Sequence, residues 1–246
     1  MTSRSPYEEH RPRYSPGRLV ACVWTRANPG RDEHGQLVVP DGCVDLVWRD
    51  GDVQLVGPDR RSWVATMAPG ETIAGIRLRP GVAPLLLGRM PAPEMQGRQV
   101  PLTDVVARGD ARPAGADSPQ SAVAVLDAYI AGLARSYEAD EAVLHAIKIL
   151  SRETPHVPDL AERVGLSERQ LRRRFTDAVG YAPKTLHGIL RFQRAVRIGR
   201  RGPGTLAGIA YEAGYADQAH FTREVKRLAG TTPARLLGPA RPHSLP

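Results

Sequence analysis

The sequence predicts an α+β chain in which a small antiparallel β-barrel or sandwich is followed by an all-α domain. Three observations favour this fold class. Short segments rich in β-branched and aromatic residues alternate with turn residues across residues 19–78. From about Asp140 the apolar residues recur at helical spacing. Within that helical region a helix-turn-helix pattern occurs twice, with a linker helix between the two copies.

The predicted strands are short and are separated by turn residues such as Asn28-Pro29-Gly30 and Asp41-Gly42. Strands this close together, joined by short turns, are typical of a small antiparallel barrel or sandwich. Arg79-Pro80-Gly81 ends the strand region. The strands are predicted at residues 19–24, 36–39, 43–48, 53–56 and 72–78.

A loop and a helix are predicted between the two domains. Residues 109–120 consist mainly of Gly, Pro, Ala, Asp and Ser, which predicts a mobile loop and a candidate hinge. Residues 123–134 then predict a helix that leads out of the loop. We therefore expect a β-rich domain at 1–108, a loop and connecting helix at 109–139, and a helical domain at 140–240.

The composition is that of an ordinary globular protein, because 41% of the 246 residues are apolar and 24% are charged. No apolar stretch approaches the ~20 residues needed to cross a bilayer, so no membrane partner is expected. Residues 1–18 are charged and proline-rich and lack the apolar segment of a secretory signal, so we expect a cytoplasmic protein. Two cysteines cannot form a disulfide framework in a chain of this size.

Positive charge is concentrated in the helical region. The chain carries 34 Lys and Arg against 26 Asp and Glu, a net charge of +8. Residues 1–140 have a net charge of −1, with 16 basic and 17 acidic residues, whereas residues 141–246 have +9, with 18 basic and 9 acidic residues. An excess confined to one domain predicts a polyanionic partner for that domain, such as nucleic acid.

The helical region contains the same supersecondary pattern twice. Residues 160–165 match residues 209–214 at an offset of 49, and both segments end in glycine. Residues 171–183 match residues 221–233 at an offset of 50, and both end in a glycine followed three residues later by a proline. The turn of the second unit is therefore one residue longer than the turn of the first.

The residue types explain how each unit folds. A small alanine lets the second helix of a unit cross the first closely, and the glycine permits a left-handed turn between them. Ser167 and Asp217 are placed as N-caps of the second helices, which we predict at 167–179 and 217–229. A linker helix at 183–198 opens with a proline. A rigid linker can set the two second helices ~34 Å apart, the spacing of successive major grooves on one face of a duplex.

Residues 141–240 resemble the DNA-binding domain of the AraC/XylS family of bacterial transcription regulators. The resemblance is carried by residues 159–175 and 209–226 and by the closing Gly230-Thr231-Thr232-Pro233. The sequence departs from the family pattern at Val225, where the family usually has phenylalanine. Because valine is smaller than phenylalanine, this departure should only reduce the packing of the core.

The amino-terminal region is similar to a sensor-like region that is fused to some of these regulators. The similarity extends over residues 7–106 and lies mainly in residues 40–48 and 77–81. It implies a domain that senses a small-molecule effector or mediates formation of a homodimer. It brings no known ligand.

The AraC/XylS resemblance implies roles for individual side chains. Arginine can donate to both O6 and N7 of guanine, and glutamine suits adenine. Half to two-thirds of protein–DNA hydrogen bonds are made to the sugar–phosphate backbone of the DNA and not to bases. Several arginines of the two second helices can therefore be phosphate ligands. The base-contact candidates are Arg169, Arg172, Arg173, Gln218, His220, Thr222 and Arg223. The phosphate-contact candidates are Ser167, Arg174, Lys184, Arg191, Arg194, Asp217, Lys226 and Arg227, of which Arg191 and Arg194 have the alternative of pairing with acids of the first unit.

The β-rich domain offers two weaker candidate sites. Trp24, Trp48 and Trp63 are candidates to line a pocket for a small apolar or aromatic effector, with plain core packing as the alternative. A metal cluster of His34, Asp41, Cys43 and Asp45 falls short of a recognisable site in spacing and type, so no metal or other cofactor is expected. Alternation places Cys43, Asp45 and Val47 on one strand face, and Val44, Leu46 and Trp48 on the other.

The sequence thus predicts a sequence-specific, effector-responsive DNA-binding transcription regulator rather than an enzyme. Double-stranded DNA is the expected partner, and the resemblance adds RNA polymerase, a small-molecule effector and a second copy of the chain as candidates. The alternative is a DNA-targeted, repair-type enzyme in which Cys22 or Cys43 is the nucleophile. Neither cysteine has a nearby histidine in the sequence to lower its pKa, so this alternative is not favoured.

Overall fold

The computed structural model describes residues 7–88, 90–106, 113–202 and 204–238. Within these ranges the chain forms eight strands and nine α-helices. The strands are β1 Tyr7–His10, β2 Val20–Ala27, β3 His34–Val38, β4 Val44–Arg49, β5 Asp52–Val56, β6 Trp63–Met67, β7 Thr72–Leu78 and β8 Gln99–Pro101. The helices are α1 Pro84–Leu87, α2 Pro119–Leu133, α3 Glu141–Leu150, α4 Val157–Arg163, α5 Glu168–Val179, α6 Pro183–Arg200, α7 Leu206–Ala213, α8 Gln218–Ala229 and α9 Pro233–Leu237.

Six strands form one antiparallel sheet in the order β1-β2-β7-β4-β5-β8, and β3 and β6 form a separate two-stranded ribbon. The predicted sandwich is confirmed. The closed-barrel form of the prediction is wrong, because β3 and β6 pair with each other, so β1 and β8 remain edges of the sheet within the described residues. None of the described helices is long and apolar enough to span a bilayer.

All five predicted strands are present, with ends shifted by up to three residues. Sequence reasoning missed β1, β6 and β8. The sequence of β1, Tyr-Glu-Glu-His, has no apolar run that would predict a strand. This strand is recognisable only in the structure, from its backbone pairing with β2. The three-residue β8 ends in a proline, which is tolerated only because this strand lies at the sheet edge.

The connection between the β-rich and helical parts differs from the prediction at its helix. Helix α2 begins at Pro119, four residues before the predicted start, because Ser118 and Ser121 form a capping box ahead of a proline. Residues 109–112 of the predicted hinge lie outside the described residues, as do the predicted domain boundary at 108/109 and residues 239–240.

One face of the six-stranded sheet carries the apolar core of the β-rich part. Leu46, Ile76 and Leu78 are fully buried on this face and belong to the same cluster as Leu126 and Ile130 of α2. The opposite face carries the charged and aromatic side chains that face the β3–β6 ribbon. The alternation predicted for the strand at 43–48 is therefore confirmed, with Val44, Leu46 and Trp48 on the core face.

The helical part packs around α6. Its largest fully buried side chains are Phe175 of α5, Phe192 of α6 and Phe221 of α8. Val225 is also fully buried, although the smaller side chain stands where the family usually has phenylalanine. The predicted helices are confirmed, and α6 extends two residues further than predicted, to Arg200.

A buried carboxylate fixes the amino-terminal segment against α2. Asp127 is only 2% exposed, and its carboxylate accepts hydrogen bonds from the backbone N–H groups of Arg13, Tyr14 and Ser15 at 2.6, 2.9 and 2.9 Å. The Ser15 hydroxyl donates in turn to the backbone oxygen of Asp127 at 2.8 Å. This carboxylate therefore satisfies one buried donor, the N–H of Ser15, and two partly buried donors beside it.

Replacing Asp127 with Ala should lower the free energy of unfolding by about 3 kcal/mol, because the buried N–H of Ser15 loses its acceptor at a cost of about 1–3 kcal/mol and the partly buried N–H groups of Arg13 and Tyr14 lose theirs as well. Urea-induced unfolding followed by circular dichroism measures this change. The exposed Glu138→Ala variant is the control and should change stability by less than about 0.5 kcal/mol. Equal stabilities of the two variants would contradict this role for Asp127.

Candidate nucleic-acid interface

The two repeats fold as two helix-turn-helix units, α4–α5 and α7–α8. The glycines of the turns, Gly165 and Gly214, have positive φ angles of 68° and 85°, which other residues adopt only with strain. The Ser167 hydroxyl accepts from the backbone N–H of Gln170 at 3.3 Å, and Asp217 accepts from that of His220 at 2.6 Å. Both predicted N-caps are therefore confirmed.

Helix α6 separates the two units and contacts both. Its 18 residues span about 27 Å. Leu186, Ile189 and Phe192 are fully buried along it, in one cluster with residues of both units. The units are thus held by a common core, which fixes the position of α5 relative to α8.

The exposed faces of α5 and α8 correspond position by position. Arg173 and Arg223 occupy equivalent positions, 50 residues apart, opposite the buried face of each helix. Arg169 and Arg172 of α5 and Gln218 of α8 are also exposed. The four arginine side chains form no hydrogen bond or ion pair with other described residues. Their guanidinium groups are therefore available to an external acceptor.

Two other base-contact candidates are partly engaged within α8. The Thr222 hydroxyl donates to the backbone oxygen of Gln218 at 2.8 Å. The His220 ring lies edge-on to Tyr215, with 5.2 Å between the ring centroids. Both side chains are half-buried, so they lie at the margin of the exposed face of α8.

Several of the predicted phosphate ligands have partners inside the protein. Arg174 makes a two-bond ion pair with Asp140, from Nε and Nη2, each at 2.7 Å. Arg227 pairs with Glu224 at 2.9 Å. By contrast, Lys184 and Lys226 are exposed and have no ion-pair partner among the described residues.

The alternative pairing considered for Arg191 and Arg194 is wrong. The Arg194 guanidinium donates to the backbone oxygen of Ser151 at 2.5 Å. The Arg191 guanidinium lies over the ring of Tyr215, 4.5 Å from the centroid, in the second unit. Neither guanidinium pairs with an acidic side chain of the first unit within the described residues. These contacts tie α6 to its neighbours.

The β-rich part contains a cavity of about 600 Å³ between the charged face of the sheet and the β3–β6 ribbon. Trp24 and Trp63 line this cavity, whereas Trp48 lies on the opposite face in the apolar core. Asp41, Cys43 and Asp45 also line the cavity, and His34 does not. No group of three or more His, Cys, Asp and Glu side chains in the described ranges is arranged to hold a metal ion.

Two regions of the chain match known protein families. Residues 160–238 match a family described as a helix-turn-helix domain, and residues 8–101 match a domain of unknown function, DUF6597. The chain carries an AraC-type helix-turn-helix domain.

The chain is similar to several proteins of known sequence or structure. A Streptomyces lividans protein named as an AraC-like transcription regulator is 33% identical over 108 residues, which cover 43% of this chain and 34% of that protein. The match thus spans about a third of that curated relative. The DNA-binding domain of AdpA, solved in complex with a target DNA, is 27% identical and covers 39% of this chain and 86% of that chain, with a TM-score of 0.35. ToxT from Vibrio cholerae is 10% identical and covers 95% of this chain and 98% of that chain, with a TM-score of 0.46.

The two cysteines outside the AraC-type domain lack the properties of an activated nucleophile. Burial raises the pKa of the Cys22 thiol to about 12. Burial also raises the pKa of the Cys43 thiol, and the neighbouring Asp41 carboxylate raises it further. A nucleophilic thiol needs a lowered pKa to ionise near neutral pH, so the geometry does not favour the enzyme alternative.

The Asp140–Arg174 pair anchors the AraC-type domain to α3. Partial burial opposes ionisation of Asp140, but hydrogen bonds from Arg174 and from the backbone N–H of Val143 outweigh it and hold the pKa of this carboxyl below its usual value. A carboxyl with a depressed pKa in the folded state stabilises the fold above its unfolded pKa. That contribution is lost as the pH falls through the folded value.

Arg174→Gln should therefore lower the free energy of unfolding by about 1 kcal/mol at pH ~7. Arg173→Gln removes the same charge one residue away, from a side chain with no partner, and should change stability by less than about 0.5 kcal/mol. The difference between wild type and Arg174→Gln should narrow as the pH is lowered towards ~3. Urea titrations at several pH values test this, and a pH-independent difference would contradict the ion-pair assignment.

Proposed function

We propose that this protein binds double-stranded DNA with sequence specificity and regulates transcription, with α5 and α8 entering successive major grooves. The observation that carries the proposal is the pair of exposed, partner-free arginine faces on two helices that share one core with α6. The AraC-type domain and the 33% identity to an AraC-like regulator over 108 residues support the same function. The net charge of +9 over residues 141–246 supports a polyanionic partner.

We assign base recognition to the exposed side chains at the centre of these faces. Arg173 and Arg223 each present a free guanidinium, which can donate to both O6 and N7 of guanine. Arg169 and Arg172 extend the first face, and Gln218 at the start of α8 suits adenine. His220 and Thr222, which are half-buried, contact bases at the margin of the second face.

We assign phosphate contacts mainly to cations and donors that have no competing partner. Lys184 at the start of α6 and Lys226 on α8 are exposed and unpaired among the described residues. The side chains of Ser167 and Asp217 already cap backbone N–H groups of α5 and α8, so a phosphate at these ends would meet the remaining backbone N–H groups at the positive end of each helix dipole. Because they pair with protein groups, we assign Arg174, Arg191, Arg194 and Arg227 to positioning of the helices.

One chain is sufficient for specific binding in this proposal, because it carries both helix-turn-helix units. The β-rich part then supplies regulation, with the cavity lined by Trp24 and Trp63 as the effector site. An effector can change DNA affinity only by binding more tightly to one arrangement of the protein than to another.

Selection of bound fragments from genomic DNA by the full-length protein at ~0.15 M salt tests the proposal. Wild-type protein should enrich a motif of two blocks about one helical turn apart. Arg173→Ala should relax the base preference of one block and Arg223→Ala that of the other, each at a cost of ~1–3 kcal/mol.

Arg135→Ala is the matched control, because it removes an exposed arginine from the region outside the AraC-type domain. This variant should select the wild-type motif with unchanged preference. Flat enrichment, with all three variants and the wild type equally sensitive to salt, would refute sequence-specific recognition.

A further inference from the structure

The cavity of the β-rich part has the size and walls of a small-molecule site. Its volume of about 600 Å³ lies within the range of ~300–1,000 Å³ typical of such sites. The aromatic side chains of Tyr7, Trp24 and Trp63 line it. Met67 and Ile73 add apolar surface. An apolar or aromatic ligand body therefore finds complementary walls.

The charges along one end of the cavity do not balance. Arg77 is the only guanidinium that pairs there, and it serves three carboxylates among the described residues. Its Nε lies 3.1 Å from Asp45 Oδ1 and 3.4 Å from Asp41 Oδ2, and its Nη1 lies 3.9 Å from Glu9 Oε1. A fourth carboxylate, Asp59, accepts from Trp63 Nε1 at 2.7 Å and has no cationic partner in the described ranges. The charged side chains that line this end of the cavity are therefore mainly acidic, whereas Arg60, Arg61 and Arg98 line a neighbouring pocket that Asp59 also borders.

Burial and the neighbouring carboxylates both oppose ionisation of Asp59. Burial raises the pKa of its carboxyl to about 6, and the charges of Asp41 and Asp45 also act to raise it. A nearby cation would lower this pKa again, which means that the ionised carboxylate and a bound cation stabilise each other.

The other cations of the cavity wall are already engaged or lie elsewhere. Arg49 pairs with Glu71 at 2.9 Å. Arg26 donates to Gln36, and its guanidinium lies over the ring of Tyr7. In the sheet, Arg26 of β2 pairs with Ile73 of β7, whereas Arg77 pairs with Cys22. Four residues of β7 separate these two positions, about 13 Å. Arg200, at the end of α6, is exposed to solvent.

The same end of the cavity adjoins the carboxyl-terminal ends of both α5 and α8. The loop between β5 and β6 contributes Asp59 to the cavity wall, and Trp63 follows it as the first residue of β6. Pro58 of this loop packs on Gly180, just after α5, where a Cβ would lie 2.8 Å from the proline ring. Ser62 donates its backbone N–H to the backbone oxygen of Leu228, in the last turn of α8, at 2.8 Å.

Two further contacts reinforce this connection. The Gln96 side chain donates to the backbone oxygen of Gly180 at 3.0 Å. Gln193 of α6 lines the cavity and donates to the backbone oxygen of Pro40 at 2.6 Å. Through Pro58 and Ser62, a ligand that moves the β5–β6 loop acts on α5 and α8 together.

We propose that this cavity binds a small organic cation with an aromatic or apolar body, its ammonium group against Asp41 and Asp59, and that the β5–β6 loop transmits its binding to α5 and α8. The ammonium–carboxylate contact supplies specificity, and Trp24 and Trp63 receive the body of the ligand. The transmission half of this inference rests on the proposed DNA-binding function, whereas the ligand-binding half does not.

Titration of the full-length protein with phenethylamine and tryptamine tests the ligand class without DNA, by calorimetry and tryptophan fluorescence. Phenylacetate and phenethyl alcohol replace the ammonium group with an anion or a neutral group. The amines should bind, and the anion and alcohol should bind at least about tenfold more weakly. Equal binding of the alcohol, or no binding of either amine, would overturn the cation site.

Asp59→Asn is the decisive variant, because its amide oxygen can still accept from Trp63 while the charge is lost. Amine affinity should fall about tenfold in Asp59→Asn and should be unchanged in Asp52→Asn, an exposed residue outside the cavity. Asp41→Asn keeps the acceptor for the backbone N–H of Cys43 and should weaken binding similarly. Unchanged amine affinity in both Asp59→Asn and Asp41→Asn would contradict the assignment.

Transmission is tested on the DNA fragment that the protein selects. A bound amine should change DNA affinity, and DNA should change amine affinity by the same factor. Pro58→Ala removes part of the contact between the β5–β6 loop and Gly180 without changing the cavity lining, so it should retain amine binding and reduce that factor. An amine that binds without changing DNA affinity would refute transmission, while loss of DNA binding with intact amine binding would refute only the proposed function.

Discussion

The packing of α6 is the constraint on which the rest of the structure depends. Leu186, Ile189 and Phe192 are buried along a single helix in one core with both helix-turn-helix units. A close-packed core has few alternative arrangements, so α5 and α8 cannot change their separation without opening it. The guanidinium of Arg191 over Tyr215 and the hydrogen bond from Arg194 to Ser151 hold the same helix to its neighbours. Two short motifs thereby become one rigid pair.

The two ends of α5 and α8 have different surroundings. Their amino-terminal ends carry exposed N-caps, Ser167 and Asp217, beside the arginine faces. Their carboxyl-terminal ends touch the β-rich part, through Gly180 and Leu228. The β-rich part can therefore bias the orientation of both helices while leaving their exposed faces open. Asp59, one of the carboxylates at the acidic end of the cavity, lies on the β5–β6 loop, which also contacts Gly180 and Leu228 and so joins the cavity to both helices.

The helical part could be predicted closely because its determinants are local. Glycine turns, Ser and Asp caps and a repeat at offsets of 49 and 50 specify the helices from neighbouring residues alone. The roles of single side chains depend on distant partners. Arg173 and Arg174 are identical in sequence terms, yet only Arg174 reaches Asp140, 34 positions away. In the same way, the cavity arises because a ribbon paired across 25 or more residues covers the polar face of the sheet, so Trp24 and Trp63 meet there and Trp48 does not.

The most direct test of the rigid-pair account measures affinity for DNA in which the spacing of the two selected blocks is varied. Insertion of ~5 base pairs turns the second block to the opposite face of the duplex. If α6 holds the two units rigidly, this insertion should reduce affinity to that of DNA carrying one block, and ~10 inserted base pairs should not restore it, because α6 does not extend. Equal affinity at all spacings would show that the two units move independently and would contradict the account.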